Sequence, residues 1–335
     1  MFRFLLISCL SLWGISAQAQ VQILTSIKPL QLIAAAIQEG QGEPQVLLPP
    51  GASPHYFVLR PSDAKRLDQA DLFYWVGPDL ENFLPKLLQK RSKSSIAVQD
   101  LDKLQLEYFA EAHQHDQHDA YDAYDAYYAY DAYDAQNHHA TQSKKATHSD
   151  TLVEHDHAHA PGTVDVHLWL LPHNAQVIAE RISADLSQHD PANAAHYAAN
   201  LAAFSQRLAL LDQQLQAQLA PLHDKSFFVF HEAFNYFEHA YGLKHAGVFA
   251  VSHELQPGAK HVSQMRTRLQ QAGPSCVFSE PPMQPRLAHT LAAGLPVTLA
   301  ELDALGSTVA VSAEGYEQLL KNLATQFSTC LSALE

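Results

Sequence analysis

"DPANAAHYAANLAAFSQRLALLDQQLQAQLAP", residues 190–221, is a single uninterrupted helical pattern. Asp190 and Pro191 make a helix start, with an acid at the cap and proline in the first turn. Leu201, Phe204, Leu208, Leu211, Leu215 and Leu219 then recur at spacings of three and four, and Pro221 ends the run. About thirty residues at ~1.5 Å each span ~45 Å. That is enough to cross two small domains, so the segment is expected to be a rigid spine with one lobe before it and another after it.

The flanking sequence fits two such lobes. "VQILT" (21–25), "QVLLP" (45–49) and "LFYWVG" (72–77) read as buried strands, with helical patterns around Leu30–Gln38 and Ser62–Ala70. "VHLWLL" (166–171), "SFFVFH" (226–231), "CVFSE" (276–280) and "VTLAEL" (297–302) continue the series of short apolar strands. Strands alternating with helices indicate parallel sheets of the α/β class. The expected organisation is a leader over 1–19, an N-terminal lobe over 20–189, a linking helix over 190–221 and a C-terminal lobe over 222–335.

The leader reading rests on Arg3, the apolar run Phe4–Ile15 and the small-x-small site Ala17-Gln18-Ala19. The apolar run is short for a membrane anchor, and no later segment reaches ~20 apolar residues. The mature chain is therefore expected to start at Gln20, exported and soluble. Cys9 sits in a loose lipobox, "LISC", too near the start to follow a full signal sequence. Two further cysteines remain, Cys276 and Cys330, either bridged in an oxidising compartment or left as buried free thiols. A bridge would close ~55 residues and contribute up to ~4 kcal/mol in the chain-entropy model.

A net charge of −14 and a pI near 5.8 argue against nucleic acid as a partner. Positions 111–160 carry ten acids against two lysines and nine of the 21 histidines. At their centre "HDQHDAYDAYDAYYAYDAYDAQNHH" (115–139) repeats Asp-Ala-Tyr. Such a composition builds no packed core, so a disordered surface loop is expected, with its ends near Phe109 and Val164 close in space.

Three histidines lie outside this tract in chemically suggestive places. His55 falls in the Gly/Pro-rich "PPGASPH" beyond a strand, His167 in "DVHLWLLP", and His231 at the end of "FFVFH". Ligands of α/β folds bind where loops leave the C-terminal strand ends, and three neutral imidazoles with one further position suit tetrahedral zinc. For any one of these histidines taken singly, a strand cap or a satisfied local hydrogen bond is the stronger reading.

The ordered series "LLPPGASPHYFVLRPSDAKRL", "ADLFYWVGPDLE", "HLWLLP", "FFVFHEAFNYFEHAYGL", "ELQPGAKH", "CVFSEPP" and "ELDALGS" resembles the zinc-specific periplasmic solute-binding components of bacterial ABC importers. The resemblance covers the mature chain apart from the low-complexity tract. It implies two α/β lobes joined by one long helix, with a metal in the cleft between them. It makes His55, His167 and His231 the metal ligands, pairs Cys276 with Cys330, and implies delivery to an inner-membrane ABC permease with its ATPase. Relatives that carry manganese or iron place a carboxylate where this chain has His231, and imidazole favours zinc. Some zinc members have a glutamate before the loop histidine, where this chain has Pro54. The fourth position then falls to water or to Asp303 of "LDALG".

Other sites are weaker. "HEAFN" departs from H-E-x-x-H at Asn235, and His253 and His261 read as rim residues. Glu280 is the acid expected to hold a ligand histidine in place. Within the tract, His113, His115, His118, His138, His139, His155, His157 and His159 fall in groups that suit weak accessory zinc sites, with the Asp-Ala-Tyr core as spacer. The expected function is capture of Zn2+ in the periplasm by a monomer that performs no catalysis. The alternatives are an exported zinc hydrolase using the same three histidines, or an extracellular sequestering or adhesion protein.

Overall fold

Every strand pairing in the two sheets is parallel. The computed structural model describes residues 20–109, 162–250, 259–281 and 286–334. The leader with Cys9, the histidines between 113 and 159, and His253 lie outside these residues. In the first lobe β1 (Ile23–Thr25), β2 (Gln45–Val46), β3 (Leu72–Trp75) and β4 (Ser94–Ala97) run in the order β2-β1-β3-β4. In the second, β5 (Phe227–His231), β6 (Gly247–Ala250), β7 (Ser275–Ser279) and β8 (Val297–Glu301) run β6-β5-β7-β8. The two orders are the same, so the lobes share one topology.

Parallel neighbours need a crossover rather than a hairpin. Helices α1 (Lys28–Gln38), α2 (Pro61–Gln69) and α3 (Pro85–Leu88) supply it in the first lobe. Between the lobes lie α4 (Pro172–His189) and the long α5 (Ala194–Leu219), extended by 3-10 turns at Pro191–Asn193 and Ala220–Leu222. Helices α6 (Asn235–Tyr241), α7 (Ala259–Ala272) and α8 (Arg286–Ala292) serve the second sheet, and α9 (Gly315–Leu331) closes the chain. This is the expected architecture of two parallel-sheet lobes with a long helix between them.

The spine earns its rigidity from one buried stripe, Tyr197, Phe204, Leu208, Leu211, Leu215 and Leu219. A fully buried leucine or phenylalanine is worth about 1.5–3 kcal/mol relative to exposure. At the corner before α5, Asp190 accepts hydrogen bonds from Asn193 Nδ2 (2.7 Å) and the Tyr197 hydroxyl (2.9 Å). Farther along, Arg207 donates to Glu317 Oε1 (2.7 Å) and to the Ala313 carbonyl (2.7 Å), tying the spine to the start of α9. Helix α1 is buried from Pro29 to Gln38 because α4, α5 and α9 all pack around it. At Gly315 the approach is so close that a Cβ would lie 2.7 Å from Leu32 Cδ2 and 2.9 Å from the Ala310 carbonyl.

Two features depart from the expectations. "VHLWLL" contains no strand: Leu168–Leu170 form a 3-10 turn and Pro172 opens α4. An apolar run of six looks the same in a buried strand and a buried turn, and proline in the first helical turn decides between them here. Strands β4 ("SSIA") and β6 ("GVFA") were not among the expected strands: β4 is half serine, and β6 is only four residues long. The expected proximity of the tract's ends is present. Tyr108 bridges Val164, Phe109 N–H donates to the Thr163 carbonyl (3.0 Å), and Gly162 N–H donates to that of Phe109 (3.0 Å). A disulfide joins Cys276 of β7 to Cys330 of α9.

Candidate metal centre

Each of the three histidines is delivered by a different local device. After β2, Leu47 and Leu48 continue to hydrogen-bond to Thr25 and Ser26, and the chain then turns through Pro49-Pro50-Gly51. Gly51 takes φ +78°, in the left-handed region that only glycine adopts freely. The turn returns His55 to a buried position, 3 % exposed, while Tyr56 and Val58 beyond it face solvent. His231 is the last residue of β5. Side chains alternate along a strand, so Phe227, Val229 and His231 share one face while Phe228 and Phe230 pack in the separate cluster with Phe249 and Met265. His167 stands before the 3-10 turn, and its segment is pinned from the other lobe. Trp169 Nε1 donates to the Ala304 carbonyl (2.9 Å), and the Tyr316 hydroxyl donates to the Trp169 carbonyl (2.7 Å).

The structure brings the three together. Ring centroids lie 5.8 Å apart for His55 and His167, 5.5 Å for His55 and His231, and 5.0 Å for His167 and His231. One nitrogen from each falls within 4.8 Å of the others, and all three residues are buried. Among the described residues no other group of three histidines, cysteines or acids meets that condition.

Carboxylates stand behind two of the imidazoles. Asp165 Oδ1 lies 2.7 Å from His167 Nδ1 and accepts the His167 backbone N–H at 3.0 Å. Glu280 Oε1 lies 3.1 Å from His231 Nδ1, the contact expected of Glu280. Asp165 was not anticipated; an acid two residues before the histidine was the available signal. Asp303 accepts the Leu305 and Ser307 backbone N–H groups at 3.1 and 2.7 Å, so its carboxylate closes its own turn. Glu232 accepts from Asn235 Nδ2 (3.2 Å), and burial pushes its carboxyl up against the pull of that hydrogen bond. Deeper in the second lobe His245 Nδ1 contacts Glu238 at 2.9 Å; burial opposes its protonation, but the hydrogen bond and charge of Glu238 prevail and raise it.

The family model described as "Zinc-uptake complex component A periplasmic" matches residues 23–330. The chain belongs to this family. Its relatives include the high-affinity zinc uptake system protein ZnuA of Brucella suis, 38% identical, with 92% of this chain and 91% of that protein covered. The protein of the same description from Yersinia pestis is 36% identical, with 93% and 92% covered. A crystal structure of ZnuA superposes with a TM-score of 0.70 at 22% identity, covering 93% of this chain and 99% of the other. At that identity the superposition speaks for the fold alone. Family membership makes the chain a solute-binding component of a transport system.

Proposed function

We propose that this protein captures zinc in the periplasm through His55, His167 and His231 and delivers it to an ABC permease and its ATPase for uptake. The observation that carries the reading is the buried convergence of three imidazoles from two lobes in a chain of the zinc-uptake family.

The chemistry follows from the partners. With a carboxylate facing Nδ1, that nitrogen carries the proton in His167 and His231, and Nε2 is left with the lone pair for a metal. Burying a dication is costly unless it is compensated. Asp165 and Glu280, 0% and 7% exposed, bring two negative charges directly behind the ligands. An all-imidazole set suits zinc better than manganese, which prefers oxygen donors. Pro54 offers no side-chain donor and Asp303 is engaged in its own turn, so a water molecule completes the tetrahedron. The hydrolase alternative would need a general base beside that water. Its two candidates, Glu232 and Asp303, are committed to Asn235 and to the 305–307 turn. The site therefore binds its ion without turnover. The histidines of 113–159 add weaker sites that raise the local zinc concentration.

Zinc titration by calorimetry tests this on the mature chain and on a version lacking 111–160, each with and without His231→Ala. One tight site that survives removal of 111–160 and vanishes with His231→Ala is expected. Tight binding that is lost with 111–160 and ignores His231 would overturn the proposal.

A further inference from the structure

Asn235 occupies the position where the sequence departs from H-E-x-x-H, and it is not idle. Its Nδ2 donates to Asp165 Oδ2 at 3.1 Å and to Glu232 Oε1 at 3.2 Å. Asp165 is fully buried, and its other oxygen faces His167 Nδ1. Glu232 directly follows His231. A single carboxamide therefore links the acid behind one candidate ligand to the residue next to another, across the boundary between the lobes. The following residue reinforces the link. The Tyr236 hydroxyl donates to the Asp165 carbonyl (2.8 Å) and accepts the Glu107 N–H (2.9 Å). The first turn of α6, in the second lobe, thus grips the segment of the first lobe that carries His167.

We propose that Asn235 is a positioning residue: its amide clamps Asp165, and through it the His167 imidazole, in the orientation that meets His231 and His55. The inference rests on the three-histidine zinc site of the preceding section. The choice of amide is chemically specific. Its two N–H donors satisfy two carboxylates at once, whereas an aspartate of the same shape would add a third negative charge, and alanine would leave Asp165 Oδ2 without this donor. A carboxylate that loses its orienting donor can rotate about its side chain. The histidine it holds then no longer presents Nε2 along a fixed direction, and partners of this kind typically contribute 10–100-fold to metal affinity.

The test uses the full mature chain, with zinc affinity measured by chelator competition. Asn235→Ala is expected to weaken binding about tenfold, the low end of that range because the effect passes through Asp165. Asn235→Asp is expected to weaken it at least as much. In an Asp165→Ala background, Asn235→Ala is expected to have no further effect, since the route to the metal is already cut. Cobalt(II) bound in place of zinc is expected to show shifted visible bands in both Asn235 variants, a readout of ligand geometry that general destabilisation would not move. Affinities within twofold of wild type, or equal losses with and without Asp165, together with abolished binding in His231→Ala, would overturn the clamp and leave the site standing. Unchanged binding in His231→Ala would overturn the site and the clamp together.

Discussion

Glu81 shows how a single buried acid makes the first lobe sensitive to pH. It is fully buried just after β3 and accepts the Val76 and Gly77 N–H groups at 3.2 and 2.9 Å. Burial pushes its carboxyl up to about 7, and the backbone hydrogen bonds only partly oppose this. A folded-state value above the unfolded one means that the native state holds the proton more tightly. The stabilisation is full below about 4.5 and is lost as pH rises through about 7. A shift of this size corresponds to about 3 kcal/mol. Urea denaturation at pH 5 and pH 8 should therefore show Glu81→Gln losing less stability over that interval than wild type. Equal losses would assign the pH dependence to other groups. At this scale the sequence was partly legible. His55, His167, His231 and Glu280 could be named because motif and chemistry coincide there. Asp165 and Asn235 could not, since their roles depend on one meeting the other across 70 residues of chain.

At the level of elements, the interface between α1 and α9 depends on Gly315 having no side chain. A Cβ there would press on Leu32 and on the Ala310 carbonyl, and the backbone oxygen has little freedom to move. Gly315→Ala is expected to lower stability by about 1–3 kcal/mol through overpacking, read as a lower urea midpoint with an unchanged slope. Stability equal to wild type would mean that α9 can pivot at its start. Long, strongly periodic segments such as α5 were readable because burial on one face repeats over many turns. The 168–170 turn, β4 and β6 were not. Three or four residues carry no period of their own, and their state is decided by neighbours distant in sequence.

For the whole molecule, zinc should act as a structural cross-link between the lobes. A ligand that binds only the native state at a free concentration 100-fold above its Kd adds about 2.7 kcal/mol. A chain of this size should then melt about 5 °C higher. Protons compete with zinc for the three imidazoles, so the gain should shrink at acid pH. Calorimetric scans with and without zinc at pH 7.5 and pH 5 would check this. A rise in melting temperature that is equal at both pH values would point to oxygen ligands instead. The two-lobe architecture could be read from the sequence because the spine and the repeated strand–helix order are both long-range patterns.

The clasp formed by Tyr108, Phe109, Gly162, Thr163 and Val164 also has an evolutionary consequence. Once two chain ends are fastened side by side, each doubling of the length between them costs only about 0.6 kcal/mol in closure entropy. Tandem duplication there is close to neutral for folding, so this point of the gene can record slippage events that selection would erase elsewhere. For the same reason it is a natural port at which a fluorescent reporter could be spliced into the chain.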